Sequence, residues 1–301
     1  MSDLTADGKA LPPEIGMSEV AASADFRVMA PAAALWFERG NGRLIVSFDN
    51  LATLDEPYPR KPWLNARLAE LGYSVLGVQS FAKDWYRNAD APQLVRDLAA
   101  TGFFRQFEHV VFTGASMGGF GAINLATFVP GARVIAFSPQ STMSTEITPF
   151  ERRFPWAVRN SDWTSPEFLD AAQSAHQLER LVILYDGRSI EDRLHAMRLN
   201  GPNVQLLRLD HTTHEAVRVV MKCGALAPLF EEVIETDGAG PGFWSAMRRR
   251  RTVRKWARSF MDQVSASGRP ARIEAVGNTL IKQKNYLFAR RALAAICKKD
   301  G

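Results

Sequence analysis

The chain has 301 residues, of which 46% are hydrophobic and 23% charged, with a formal net charge of +5. That is ordinary globular material, long enough for one α/β domain of about 240 residues plus an appendage. No run approaches the roughly 18 consecutive apolar residues of a membrane span. Cys223 and Cys297 stand far apart in apolar patterns, which predicts reduced thiols and a cytoplasmic protein rather than a disulfide framework.

The charge is unevenly spread. Residues 241–301 hold 15 Lys and Arg against three acids, Asp262, Glu274 and Asp300, a net of +12, whereas residues 1–240 carry a net of −7. Such asymmetry predicts two units with different partners, divided at Asp237-Gly238-Ala239-Gly240-Pro241-Gly242, a stretch too rich in Gly and Pro to continue a helix. Three segments follow: a polar extension over 1–25, a main domain over 26–237, and a basic helical tail over 241–301. The opening MSDLTADGKALPPEIGMSEV carries acids and two prolines, unlike a signal peptide or anchor.

Along the main domain, short apolar runs alternate with helical patterns. Leu44 to Phe48, Ser74 to Val78, His109 to Thr113, Arg133 to Phe137, Leu181 to Tyr185 and Val204 to Leu209 read as strands buried on both faces of a parallel sheet. Helices are expected over Pro62–Leu71, Asp90–Thr101, Gly121–Phe128, Glu191–Asn200 and Glu215–Glu232. The alternation argues for an α/β fold with a doubly wound, mostly parallel sheet and a small all-helical C-terminal appendage, ligands binding at the carboxyl ends of the strands.

The most informative stretch is His109 to Gly121, HVVFTGASMGGFG, where a strand-like run breaks at Gly114-Ala115-Ser116-Met117-Gly118 and resumes as a helix. A serine held on a sharp strand-to-helix turn needs residues without bulky side chains two before and two after it, and Gly114 and Gly118 supply them. Later, Ser141 to His176 separates two strands by more than one crossover needs, and its Phe150, Phe154, Trp156 and Trp163 are placed to roof a pocket as a lid. Lys83-Asp84-Trp85-Tyr86 follows another strand's carboxyl end, which makes Trp85 and Tyr86, with Trp156, candidates to line the same cleft.

With an elbow serine, acids after a later strand and histidines after the last, residues Leu44 to Ile234 resemble the α/β-hydrolase superfamily, whose triad runs Ser, Asp or Glu, His along the chain. The resemblance implies Ser116 as nucleophile and the amide of Met117 as half of an oxyanion hole. It implies the turn at Asp49-Asn50 as the other half, although the HG or HGGG motif of many members is absent there. His214, which opens the segment after the last strand, is the favoured base, with His211 as the competitor. For the acid, Asp192 is slightly favoured over Asp186, which directly follows its strand. His109, His176 and His195 carry no expected role.

What the resemblance implies is acyl transfer through an acyl-enzyme, esterase-like if water accepts the acyl group and an acyltransferase if an alcohol or saccharide does. The substrate class is a small-molecule or glycan ester. A catalytically idle scaffold acting through the tail is the competing reading. In the tail, Met247 to Val264 reads as a basic amphipathic helix whose Arg248 to Arg258 cluster invites a protein or anionic partner, and Gly277 to Leu293 resembles a tetratricopeptide-type hairpin. No metal spacing, dinucleotide loop or nucleic-acid signature is present, so no cofactor and no specific nucleic-acid binding are expected.

Overall fold

The structure is a computed structural model, and it describes residues 10–297. These form two compact units, one running to Leu184 with Ile190–Leu207, the other comprising Tyr185–Ser189 and the chain from Arg208 onward.

An eight-stranded sheet organises the first unit: β1 (Phe26–Met29), β2 (Ala33–Glu38), β3 (Arg43–Phe48), β4 (Ser74–Ser80), β5 (His109–Ala115), β6 (Arg133–Phe137), β7 (Arg180–Tyr185) and β8 (Val204–Arg208), in the order β1-β2-β4-β3-β5-β6-β7-β8. The six strands expected from the sequence are present, and the core from β4 to β7 is parallel, so the fold class is the expected one. The side chains of β3 to β7 are mostly buried because helices cover both faces, hence the continuous apolar runs, whereas β8, at the sheet edge, is buried only at Leu207 and not on both faces as expected. β3 is the switch point: β4 flanks it on one side and β5 on the other, which opens a crevice beyond the carboxyl ends of β3 and β5.

The antiparallel pair β1 and β2 extends the sheet at the β4 edge. Residues ahead of β1 are tied to it: Glu14 bridges to Arg27, Arg27 Nε donates to the Pro12 carbonyl at 2.8 Å, and Val20 is buried in a 3-10 turn. The described part of the expected polar extension is thus laid along the edge of the sheet. Between the strands run α1 (Asn65–Glu70), α2 (Asp90–Ala100), α3 (Met117–Leu125), α4 (Pro155–Asn160), α5 (Ala171–Ala175) and α6 (Ile190–Arg198).

The second unit is helical: α7 (Ala216–Lys222), α8 (Leu226–Thr236), α9 (Pro241–Met247), α10 (Arg254–Ala266), α11 (Pro270–Lys284) and α12 (Leu287–Cys297). The single helix expected over Glu215–Glu232 breaks into α7 and α8 at Gly224, where φ is +67°. The Gly-rich stretch expected to divide the chain is a capped corner instead. Glu232 on α8 accepts from the amides of Gly240 at 2.7 Å, Gly242 at 2.6 Å and Phe243 at 3.1 Å, satisfying the first turn of α9 and binding α8 to it. The basic run does not form one helix either; Arg248–Thr252 is a 3-10 turn, and Val253, extended, starts α10. Cys223 is a buried free thiol whose pKa burial pushes up to about 11. Among the described residues no helix is long and apolar enough to cross a membrane.

Candidate active site

The sharp turn expected around Ser116 is present. Ser116 sits between β5 and α3 with φ 55° and ψ −118°, a strained backbone for a residue with a Cβ. Two glycines make it possible. A Cβ on Gly114 would fall 2.2 Å from the backbone of Gly118, and one on Gly118 would fall 2.7 Å from the carbonyl oxygens of Phe48 and Asp49. The turn after β3 therefore abuts the elbow directly. The Ser116 amide donates to the Phe137 carbonyl on β6 at 2.9 Å, pinning the elbow to the next strand.

Met117 opens α3 and is fully buried, so its amide belongs to the orphan N–H groups of a helix start. In the adjoining turn, Asn50 Oδ1 accepts from the amides of Ala52 and Thr53 at 2.9 and 3.1 Å, while its own amide faces Thr53 Oγ1 at 3.3 Å. Asp49 is buried against Arg60, whose Nη2 lies 2.7 Å from Asp49 Oδ2. Burial raises the Asp49 carboxyl to about 6, outweighing the lowering by Arg60. Asp49 thus contributes backbone to this corner, and its side chain locks the turn.

Trp85 and Tyr86 both have positive φ, 56° and 55°. Tyr86 does not line a cleft: it is 3% exposed, and its hydroxyl, facing the carbonyls of Asp49 at 3.0 Å and Val78 at 3.1 Å, braces the turn after β3. Trp85 packs near Phe154 and Trp156, with ring centroids 5.6 and 6.3 Å away, so it is under the insertion that the sequence marked as a lid. Its indole Nε1 donates to Gln140 Oε1 at 3.1 Å. Gln140 Nε2 in turn lies 3.0 Å from Ser116 Oγ. Gln140 follows β6 in Ser138-Pro139-Gln140, and nothing in its local sequence marks it.

Asp192, favoured from the sequence as the triad acid, is instead paired with Arg153 at 2.7 Å. It belongs to a buried array with Glu151, His195 and Ser141. His195 Nε2 stands 3.1 Å from Glu151 Oε2, and its Nδ1 stands 3.1 Å from the Ser141 amide and 3.0 Å from Ser141 Oγ. His195, given no role from the sequence, is fully buried at the centre of this array.

In the second unit, Asp186 follows β7, and its carboxylate accepts from the amides of Arg188 at 2.8 Å and Thr213 at 2.6 Å. The loop after β8 is thereby fixed immediately before His214. His211 has φ 71°, bonds Ser259 Oγ through Nδ1 at 3.1 Å, and lies against the rings of Trp256 and Phe260. Burial holds its pKa below the usual range, with the positive charge of Arg188 adding to the effect. It is packed against α10, while His214 is half-exposed. Among the described residues no group of three or more His, Cys, Asp or Glu side chains is arranged to hold a metal ion.

Residues 77–221 match the family described as "Putative esterase". That span contains Ser116, Gln140, Asp186, Asp192 and both candidate histidines. Among curated proteins, none is significantly similar to the chain. Similar solved structures include a capsule O-acetyltransferase of Neisseria meningitidis serogroup A, 11% identical over 70% of this chain and 94% of that one, with a TM-score of 0.47. The Pyrococcus furiosus esterase Pf2001 is 14% identical over 76% of this chain and 100% of its own, with a TM-score of 0.46. Est1E from Butyrivibrio proteoclasticus is 11% identical over 64% of this chain and 90% of that one, with a TM-score of 0.41.

Proposed function

We propose that the chain is a serine-dependent acyl hydrolase working through an acyl-enzyme on Ser116. The observation that carries this reading is the strained Ser116 backbone between two glycines that admit no Cβ, a cost of about 1–3 kcal/mol that an ordinary strand-to-helix turn has no reason to bear. The match of residues 77–221 to an esterase family supports ester chemistry on the same segment.

In this reading His214 takes the proton of Ser116, and Oγ attacks the ester carbonyl. The amide of Met117 and the Asp49-Asn50 turn hold the oxyanion, and the alcohol leaves with the proton returned by His214. Water, activated by the same imidazole, then releases the acid and restores the serine. Asp186 is the acid of the triad. It follows β7 as the nucleophile turn follows β5, and it holds the amide of Thr213, the neighbour of His214. Asp192 is already engaged by Arg153.

The test is covalent labelling of the purified protein with a fluorophosphonate probe. Wild type should label at Ser116, Ser116→Ala should not, and His214→Ala should label at least a hundredfold more slowly. A folded wild type that does not label, or labelling that survives Ser116→Ala, overturns the reading.

A further inference from the structure

Gln140 is a fully buried amide whose orientation can be deduced. An indole N–H only donates, so the atom 3.1 Å from Trp85 Nε1 must be the carbonyl oxygen. The amide nitrogen is then the atom 3.0 Å from Ser116 Oγ, and its N–H donates to the serine. Ser116 Oγ also lies 3.2 Å from Gln140 Oε1, which accepts from the serine hydroxyl, so the amide meets the serine at both ends; only its nitrogen end can serve an Oγ that has given up its proton.

The next residue, Ser141, is held from the other side. Its backbone amide donates to His195 Nδ1, which makes Nδ1 an acceptor and leaves the ring proton on Nε2, directed at Glu151 Oε2. The Ser141 hydroxyl also meets Nδ1 and accepts from Arg198 Nε at 3.0 Å. Burial keeps the imidazole below its ordinary pKa, outweighing the pull of Glu151, so the neutral acceptor form persists at neutral pH. Glu151 is clamped by Arg153, and Arg198 pairs with Asp170. The array joins the insertion to α6 and ends one residue from Gln140.

We propose that Gln140 is a catalytic residue that donates to Ser116 Oγ during acyl transfer, and that Glu151 and His195 are positioning residues that hold it there through Ser141. The proposal rests on Ser116 being the nucleophile. As the serine proton passes to the base, negative charge gathers on Oγ. A fixed N–H donor stabilises that charge without reorganising, both as Oγ attacks the carbonyl and, after water has added to the acyl-enzyme, as the second tetrahedral intermediate collapses and expels Oγ.

The experiment measures fluorophosphonate labelling rate against probe concentration, together with the melting temperature, for wild type, Gln140→Ala, Gln140→Met, Glu151→Ala and Glu151→Gln. Gln140→Met keeps the volume without the donor and serves if the alanine variant does not fold. Both Gln140 variants should lower the maximal labelling rate about a hundredfold, with little change in the half-saturating probe concentration. Glu151→Ala should slow labelling about tenfold, and Glu151→Gln, which still accepts from His195, should recover most of that loss although it lacks the charge. Wild-type labelling with unchanged rates in folded Gln140 variants overturns the catalytic role. Equal rates in the two Glu151 variants overturn the positioning role. Absence of labelling in wild type defeats the nucleophile reading itself, and this proposal with it.

Discussion

Arg60 and Asp49 form an ion pair at 2.7 Å behind the proposed oxyanion turn, with side chains only 5% and 1% exposed. Arg60 also donates to the Ser80 carbonyl at 2.6 Å, and Asp49 Oδ1 is buried without a partner. Removing the guanidinium therefore strands a buried carboxylate. Arg60→Met should cost about 3–5 kcal/mol near neutral pH, and Asp49→Asn clearly less. Asp49 titrates at about 6 in the fold against an ordinary 3.8, so its raised pKa gives a stability contribution that is complete below 3.8 and lost as pH rises through 6. The cost of Arg60→Met should thus be smaller at pH 5 than at pH 8 in urea unfolding. Equal costs at both would show that Asp49 is not the group left unpaired.

Glu151 has the opposite sign. Burial pushes its carboxyl up, but hydrogen bonds from His195 and Arg153 win and hold it at about 2 against an ordinary 4.5. Its contribution is present above 4.5 and disappears as pH falls through 2, amounting to about 3 kcal/mol. His195 adds in the same direction, since burial favours its neutral form. Wild type should lose stability steeply between pH 4.5 and 2, and Glu151→Gln should flatten that limb. Acid titrations followed by circular dichroism on both proteins would check this; superimposable acid limbs would remove Glu151 from the account.

Gly118 offers a test of the elbow that leaves every polar group intact. A Cβ there would lie 2.7 Å from two carbonyl oxygens of the β3 end, and backbone cannot yield as a flexible side chain can. Gly118→Ala should push the turn after β3 away from Met117 and slow fluorophosphonate labelling at least a hundredfold, because a displacement near 1 Å is enough to lose that much. Intact-protein mass spectrometry over time gives the rate. An alanine variant that folds and labels at the wild-type rate would mean that the two turns do not work together.

The sharp turn at Ser116 was legible because its requirement is local: a strained serine needs small neighbours at fixed spacing, and Gly114 and Gly118 sit within two residues of it. The doubly covered strands were legible as unbroken apolar runs. β1 and β2 were not, because Ala33–Glu38 is buried at nearly every position without the alternation that marks an edge strand, and its Ala-Ala-Leu start suits a helix equally. The corner at Gly240 read as a linker because its anchor, Glu232, lies outside the Gly-rich stretch. Gln140 and His195 were invisible for a stronger reason. Each is held by partners 24 to 55 residues away, Ser116 and Trp85 for one, Glu151 and Ser141 for the other, and no spacing rule connects them.

The choice between the two acids follows from their partners. Asp186 holds two backbone amides, one of them beside His214, so Asp186→Asn replaces one acceptor oxygen by an NH2 group facing an N–H donor. That change should cost about 1–3 kcal/mol of stability. If Asp186 also fixes the tautomer of the base, it should lower labelling by about 10³ to 10⁴. Asp192→Asn weakens a buried pair with Arg153 without touching the loop before His214. It should destabilise the fold by a similar amount and leave labelling within about tenfold of wild type. Measuring melting temperature and labelling rate on both variants separates the roles. A large rate loss confined to Asp192→Asn would return the catalytic assignment to α6.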